Sequence, residues 1–244
     1  MKIRSFGILF TIFSNYRLFK SFILNKVLNK TFCQINLINA HSIVEASNCN
    51  YMFNSLNKSK VNLPDGFPIF LYLKFKFKKT IQMRGMDVTK IILDIAEKSE
   101  FHVAFYGSTN EVINKLQINL KKYYPNLKIS FLYSPTKNVF LKSEQSIFQQ
   151  LVKKNKIDIL FVGLGCPKQE KWMHNISENY DFVAVGIGAV FDFMSGNKLE
   201  APLIIRKFGL EWLYRFLCEP RRLWRRYLLG NFLFIKILIK DLLN

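Results

Sequence analysis

The sequence predicts an α/β fold: a doubly wound, mainly parallel Rossmann-like sheet with a helical, basic C-terminal membrane appendage. Three observations carry this. Apolar runs of strand length alternate with stretches of helical periodicity from about residue 32 to residue 190, the pattern of successive β-α-β units. Three of those runs end in glycine, at Gly107, at Gly163 and Gly165, and at Gly186 and Gly188. Beyond Pro202 the composition turns to arginines interleaved with aromatic rings. A chain of 244 residues, half of them hydrophobic, is long enough to bury a substantial core.

Each element follows from its local pattern. Phe32 to Ile38 suits a strand, and Asn39-Ala40-His41-Ser42 opens a helix. Lys60 to Asp65 is short and ends in the turn signal Pro64-Asp65-Gly66. Val88, Ile91, Ile92 and Ile95 have helical spacing and place a helix from about Asp87 to Glu97. Phe101 to Tyr106 reads as a buried strand, and Asn110 to about Tyr123 as a helix stopped by Pro125. A strand over Lys128 to Leu132, a helix over Glu144 to Lys154 and strands over Ile157 to Val162 and Asp181 to Val185 complete the series. At the N-terminus Lys2 and Arg4 precede an apolar run, Phe6 to Phe13. That run is too short to span a bilayer and lacks a small-residue cleavage site, so it is read as a weak amphipathic helix rather than a targeting segment. The expected division is a basic and apolar segment over 1–30, an α/β domain over 31–200 and the appendage over 201–244.

Charge narrows the partners. Lys and Arg number 36 against 17 Asp and Glu, a net charge of +19, which calls for an anionic partner: nucleic acid, an acidic membrane surface or a phosphorylated substrate. No nucleic-acid-binding module is recognisable, and the basic residues cluster beside apolar segments that favour lipid. A dinucleotide-dependent oxidoreductase is disfavoured because GxGxxG and its downstream acidic residue are both missing. Cys33, Cys49, Cys166 and Cys218 lie far apart with no CxxC spacing; they read as reduced, buried thiols, and no metal site is expected. No stretch of about 20 apolar residues occurs, so membrane association should be peripheral.

Four constellations can carry chemistry. In Leu63-Pro64-Asp65-Gly66 a carboxylate is pinned between proline and glycine; it can serve as a general base or be an ordinary turn aspartate. In Gly163-Leu164-Gly165-Cys166-Pro167-Lys168-Gln169-Glu170-Lys171-Trp172 a buried strand delivers a GxG turn to a helix start. Backbone N–H groups there, with Lys168, suit a diphosphate, and Gln169 offers a donor and an acceptor; a solvated first turn is the alternative. In the Gly186 to Gly196 segment, Asp192 can meet a sugar or ribose hydroxyl, or cap local backbone. In the tail, Arg221 and Arg225 share one helix face and Arg222 and Arg226 another. Such pairs suit phosphate oxygens, with Trp224 and Tyr227 at a membrane interface, against a merely solvated basic face.

Together these strings resemble the WecG/TagA/CpsF family of bacterial glycosyltransferases. The matching strings are Ile38-Asn39-Ala40, Pro64-Asp65-Gly66, Gly85-Met86-Asp87, Gly163 to Trp172, Gly186 to Gly196 and Ala201 to Arg226, covering about Ile35 to Tyr227. The resemblance implies transfer of N-acetylmannosamine, or its uronic acid, from a UDP-sugar donor to a polyprenyl-diphosphate-linked acceptor. The products would be teichoic acid, common antigen or capsule. It implies an inverting reaction without metal or other cofactor, Asp65 as base, and a membrane-touching appendage that closes over the site at the inner face of the cytoplasmic membrane. Asn39, Arg84, Gly107, Gly163, Gly165, Lys168, Gln169, Gly188 and Asp192 would bind substrate or nucleotide. Arg215, Arg221, Arg222 and Arg225 would meet diphosphate or membrane, and self-association is known in the family. Leu37 replaces the threonine many members carry, Gln82 replaces an arginine for which Arg84 can substitute, Ser108 replaces the second glycine of a Gly-Gly turn, and residues 1–30 have no counterpart.

Overall fold

The computed structural model describes residues 1–177 and 179–243. An antiparallel hairpin, β1 (Lys2–Ser5) and β2 (Ile8–Thr11), precedes α1 (Tyr16–Leu28). β3 (Cys33–Ile38), α2 (Ala40–Asn48), α3 (Asn50–Lys58) and β4 (Val61–Pro64) follow, then α4 (Phe67–Lys76) and α5 (Gly85–Lys98). The other half is β5 (His102–Gly107), α6 (Asn110–Tyr123), β6 (Lys128–Tyr133), α7 (Lys142–Lys154), β7 (Ile159–Gly163), α8 (Lys168–Ile176) and β8 (Val183–Gly186). The chain ends in short helices α9 (Val190–Met194), α10 (Leu203–Lys207), α11 (Glu211–Cys218) and α12 (Pro220–Trp224), a π turn over Arg225–Leu229, and α13 (Gly230–Leu243).

β3 to β8 form one six-stranded parallel sheet in the order β4-β3-β8-β7-β5-β6. The inner strands are apolar on both faces because helices cover both. Val103, Phe105, Ile159 and Phe161 pack toward α1, α5, α6 and α9. Ala104, Tyr106, Leu160 and Val162 face the opposite way, toward α7 and α8. The chain runs outward from β3 to β4 in one direction and from β5 to β6 in the other. Parallel sheets with such a reversal collect ligands beyond the carboxyl ends of their strands.

Gly107 closes β5 at φ 141°, where an added Cβ would lie 2.5–2.7 Å from the backbone of Gly163 on the neighbouring strand. Two main chains approach there more closely than any side chain permits. Gly107→Ala should therefore cost on the order of 3 kcal/mol or more, through backbone strain and strand separation, read as a lowered Tm.

The N-terminus departs from the expected helix. Ile3, Ser5, Ile8 and Phe10 are buried in alternation, the period of a strand. Phe6 (φ 53°) and Gly7 (φ 70°) supply the two positive φ angles of a primed two-residue hairpin turn. A phenylalanine is an unusual choice for the left-handed region; here its N–H donates to Asp241 Oδ1 at 2.6 Å, and its ring packs on Tyr72 and Phe234. Ser5 Oγ and the Tyr72 hydroxyl donate to Asp241 Oδ2 at 2.7 and 2.6 Å, and the Lys76 ammonium lies 3.4 Å away. These contacts hold the carboxyl of Asp241 below the usual carboxylate range despite its partial burial. The tip of the hairpin is thus bound to the last helix, whose Phe234, Ile237 and Leu238 join the core formed by α2, α4 and the hairpin.

The cysteines also depart from expectation. All four are free, but only Cys33 is buried, Cys49 and Cys166 are half-buried, and Cys218 is exposed on α11. No described helix is long and apolar enough to cross a membrane.

Candidate active site

The loops after β3, β4, β7 and β8 converge on one polar cavity of about 280 Å³. Asp65 lies on its wall, immediately after β4. Its N–H and that of Gly66 both donate to the Ile38 carbonyl, at 3.0 and 3.1 Å, which fixes the Pro-Asp-Gly turn against the end of β3. Glycine is required at position 66, since a Cβ there would approach Asn39 Cβ to 2.9 Å. The Asp65 carboxylate accepts from the Gly85 N–H at 2.9 Å, and its carbonyl accepts from Gln82 Nε2 at 2.7 Å. Burial, and next the nearby Glu211 carboxylate, push the Asp65 carboxyl up to about 6, against the Gly85 hydrogen bond, Arg84 and Arg215. A carboxylate tuned to this range takes a proton more readily than an ordinary aspartate near neutral pH.

A second cavity of about 360 Å³ lies under the C-terminal helices, walled by Phe67, Pro68, Trp212, Tyr227, Phe234 and Leu238. The two cavities share Asn39, Asp65, Arg84, Glu211, Arg215 and Arg226. Asp65 thus sits where a polar space at the strand ends meets a mainly apolar one.

Arg84 is held at this junction by Glu200 and Glu211, at 2.8 and 3.0 Å, with Asp87 at 3.6 Å. Arg226 is different. It is buried at its Nε, which has no hydrogen-bond partner, and it forms no ion pair among the described residues. Burial depresses its pKa, with the neighbouring Arg215 guanidinium adding to the effect. It also bears on His41, which burial, then Arg226, lower to about 4, so the imidazole is neutral near pH 7. Desolvated cations without an ion pair are costly; this one lies on the same cavity wall as Arg215 and Arg222, a setting that suits an anion.

The helix after β7 sorts its residues by face. Gln169 and Glu170 are buried, whereas Lys168 points outward and donates to the Lys137 carbonyl at 3.1 Å. Glu170 is anchored through its carbonyl, which accepts from Gln34 Nε2 and Ser55 Oγ at 3.1 and 2.8 Å. Its Oε1 accepts from Gln169 Nε2 at 3.0 Å, leaving Gln169 Oε1 and Glu170 Oε2 buried without partners. Burial raises the Glu170 pKa. The Gln169 carboxamide lies against Gly186 and Gly188, where a Cβ would meet it at 3.1–3.3 Å. An unsatisfied acceptor on a polar cavity wall selects a ligand that brings a donor.

The structure therefore gathers Asp65, Asn39, Arg84, Gly163, Gly165, Gln169, Gly188, Asp192, Arg215 and Arg222 around one space. Within it, the Asn39 side chain also caps α2 by accepting from the Ser42 N–H, and Asp192 pairs with Lys198 at 3.4 Å. Four expected contacts lie elsewhere. Gly107 is packed behind the wall that Ser108 forms, Lys168 faces away, and Arg221 and Arg225 are exposed outside both cavities. The reason for the last two is the buried pair Leu223 and Tyr227, beside which Arg226 is half-buried; Arg222 reaches the cavity rim, more than half exposed and paired with Glu219. Tyr227 accordingly packs against Trp212 and Phe216 rather than standing at an interface, where only Trp224 is exposed. Sequence reasoning paired Arg226 with Arg222 as a phosphate-suited face but did not carry it into the site, and it missed Glu211. The Leu223/Tyr227 spacing was the available signal for Arg226; Glu211 had none, because its role depends on Arg84, 127 residues away.

Comparison with known proteins matches the chain to a family described as "Glycosyl transferase WecG/TagA/CpsF family" over residues 5–244. The N-terminal hairpin from Ser5 onward thus has a counterpart in the family, which corrects the expectation that it has none. The chain is 34% identical over 179 residues to the N-acetylglucosaminyldiphosphoundecaprenol N-acetyl-beta-D-mannosaminyltransferase of Bacillus subtilis (strain 168), covering 72% of this chain and 67% of that protein. It is 28% identical over 209 residues to the protein of the same name from Staphylococcus aureus (strain NCTC 8325 / PS 47), covering 84% and 79%.

Proposed function

The chain belongs to the WecG/TagA/CpsF family of glycosyl transferases, and from that premise we propose that it moves an N-acetylmannosamine-type sugar from a UDP-sugar to a polyprenyl-diphosphate-linked acceptor. The observation that carries this reading is the position of Asp65 on the shared wall of a polar and an apolar cavity. The polar space, with its glycine-edged strand ends, suits the nucleotide-sugar; the apolar one suits the start of a lipid-linked acceptor. The acceptor hydroxyl gives its proton to Asp65 as its oxygen bonds to the anomeric carbon. The sugar–phosphate bond breaks on the opposite side, and UDP leaves with the electron pair, which inverts the centre. Arg215, Arg222 and Arg226 stabilise the developing diphosphate charge. Residues 31–200 supply the catalytic sheet and residues 201–244 the appendage that brings these arginines, working peripherally at the inner membrane face.

The pH profile tests the assignment. With the Asp65 carboxyl near 6, kcat/KM should fall about tenfold per unit below pH 6 and level off above it. A profile flat from pH 5 to 8 would reject Asp65 as the base. A screen of UDP-sugars against a short polyprenyl-diphosphate N-acetylglucosamine acceptor identifies the donor.

A further inference from the structure

α4 and α13 share the apolar cavity and one hydrophobic core, and meet again at Asp241. At one end, Phe67 and Pro68 form the cavity wall opposite Ile235 and Leu238. At the other, Tyr72 and Lys76 bind Asp241. Ile69, Tyr72 and Leu73 are the buried face of α4. Leu71 and Phe75, one and two turns beyond Phe67, are instead 48% and 82% exposed. On the tethered α13, Ile235, Ile239 and Leu242 are each exposed by about half of their surface: 52%, 51% and 51%. Lone exposed apolar residues are ordinary, but exposed apolar side chains on each of two helices tethered to one another point to a contact surface. Lys74, Lys78 and Lys79, on and just after α4, and Lys236 and Lys240 on α13 are all exposed. Asp241, the one acid at this end of α13, is already occupied by its four donors.

We propose that α4 is a second membrane-contacting element. Leu71 and Phe75 rest, together with the exposed side of α13, on an anionic lipid bilayer, so that the contact surface is shared by the sheet domain and the C-terminal helices. The charge decides between occupants. Two copies of this face would oppose lysines to lysines, whereas acidic headgroups complement them and the apolar side chains enter the headgroup boundary. The cavity wall made by α4 and α13 then lies at the bilayer; this last point rests on the acceptor reading above, and the membrane contact of α4 does not.

The test is the double variant Leu71→Glu/Phe75→Glu in the full chain, compared with the parent by sedimentation with phosphatidylglycerol-containing vesicles. Binding should fall about tenfold or more, while UDP-dependent thermal stabilisation and turnover of a short-chain, water-soluble acceptor stay at parental values. Turnover of a long-chain acceptor embedded in the same vesicles should fall with binding. Parental vesicle binding by the variant, or failure of the parent to bind, overturns the proposal. So does a concentration-dependent dimer of the parent that the variant abolishes. If instead the parent binds vesicles through Leu71 and Phe75 but transfers no sugar to either acceptor, the transferase reading fails and the membrane surface stands.

Discussion

Asp65→Asn is expected to lower turnover by roughly 10²–10⁴-fold, the range for losing a general base, while leaving UDP binding intact. Asparagine preserves the size of the side chain and the acceptor for the Gly85 N–H at 2.9 Å, so the Pro-Asp-Gly turn keeps its shape. It cannot take a proton. The same substitution should raise Tm. The Asp65 carboxyl titrates near 6 in the folded protein against an ordinary 3.8, so the folded state holds the proton more tightly than the unfolded chain. Its ionisation therefore costs stability as pH rises from about 4 through 6, and the cost is fully present near pH 7. Replacing it with a neutral amide removes on the order of 1–3 kcal/mol of strain from this half-buried group. Steady-state kinetics and a thermal melt on one sample check both halves. Near-normal turnover would dismiss Asp65 as the base, and a lowered Tm would dismiss the charge argument.

Arg226→Met should show the same opposition of activity and stability for a cation. Arg226 is half-buried with its Nε fully buried and unpartnered, and its pKa is pushed down by burial and by Arg215. A desolvated cation without an ion pair among the described residues destabilises the empty protein. A methionine of similar length fills the space without that cost, so Tm should rise or hold. The rate should fall about 10²–10³-fold, the effect of removing one preorganised partner of a developing oxyanion. UDP should also lose much of its thermal stabilisation of the protein. Arg221→Met is the control: it changes an exposed arginine outside both cavities and should leave turnover of a water-soluble acceptor unchanged. Equal losses in the two variants would mean that overall positive charge, not the Arg226 position, matters.

Much of the sheet was legible because its strands are buried on both faces and its helices on one. Continuous apolar runs such as Ile159–Gly163 and stripes such as Val88, Ile92 and Ile95 have no other comfortable environment. The Asn110–Tyr123 helix coincides with the reading from sequence because Thr109 caps it and Pro125 lies just past its end. The hairpin was not legible as such. Its turn is Phe6-Gly7 rather than an Asn-Gly pair, and what sustains Phe6 at positive φ is Asp241, 235 residues along the chain.

Within the site the same division holds. The sequence by itself determined which segments end beyond the strands, and so brought forward Asp65, Asn39, Gly163, Gly165, Gln169 and Gly188 as candidates for one site, because strand-then-glycine patterns and the Pro-Asp-Gly turn are local. Only the tertiary structure decided which arginines face that cavity, that Glu211 holds Arg84 and raises the Asp65 carboxyl, and that Lys168 points away from it toward the Lys137 carbonyl. A charged side chain is tolerated equally well on several faces of an isolated helix. Which face turns inward is set by the packing of buried neighbours such as Leu223 and Tyr227, and by partners that folding alone brings within reach.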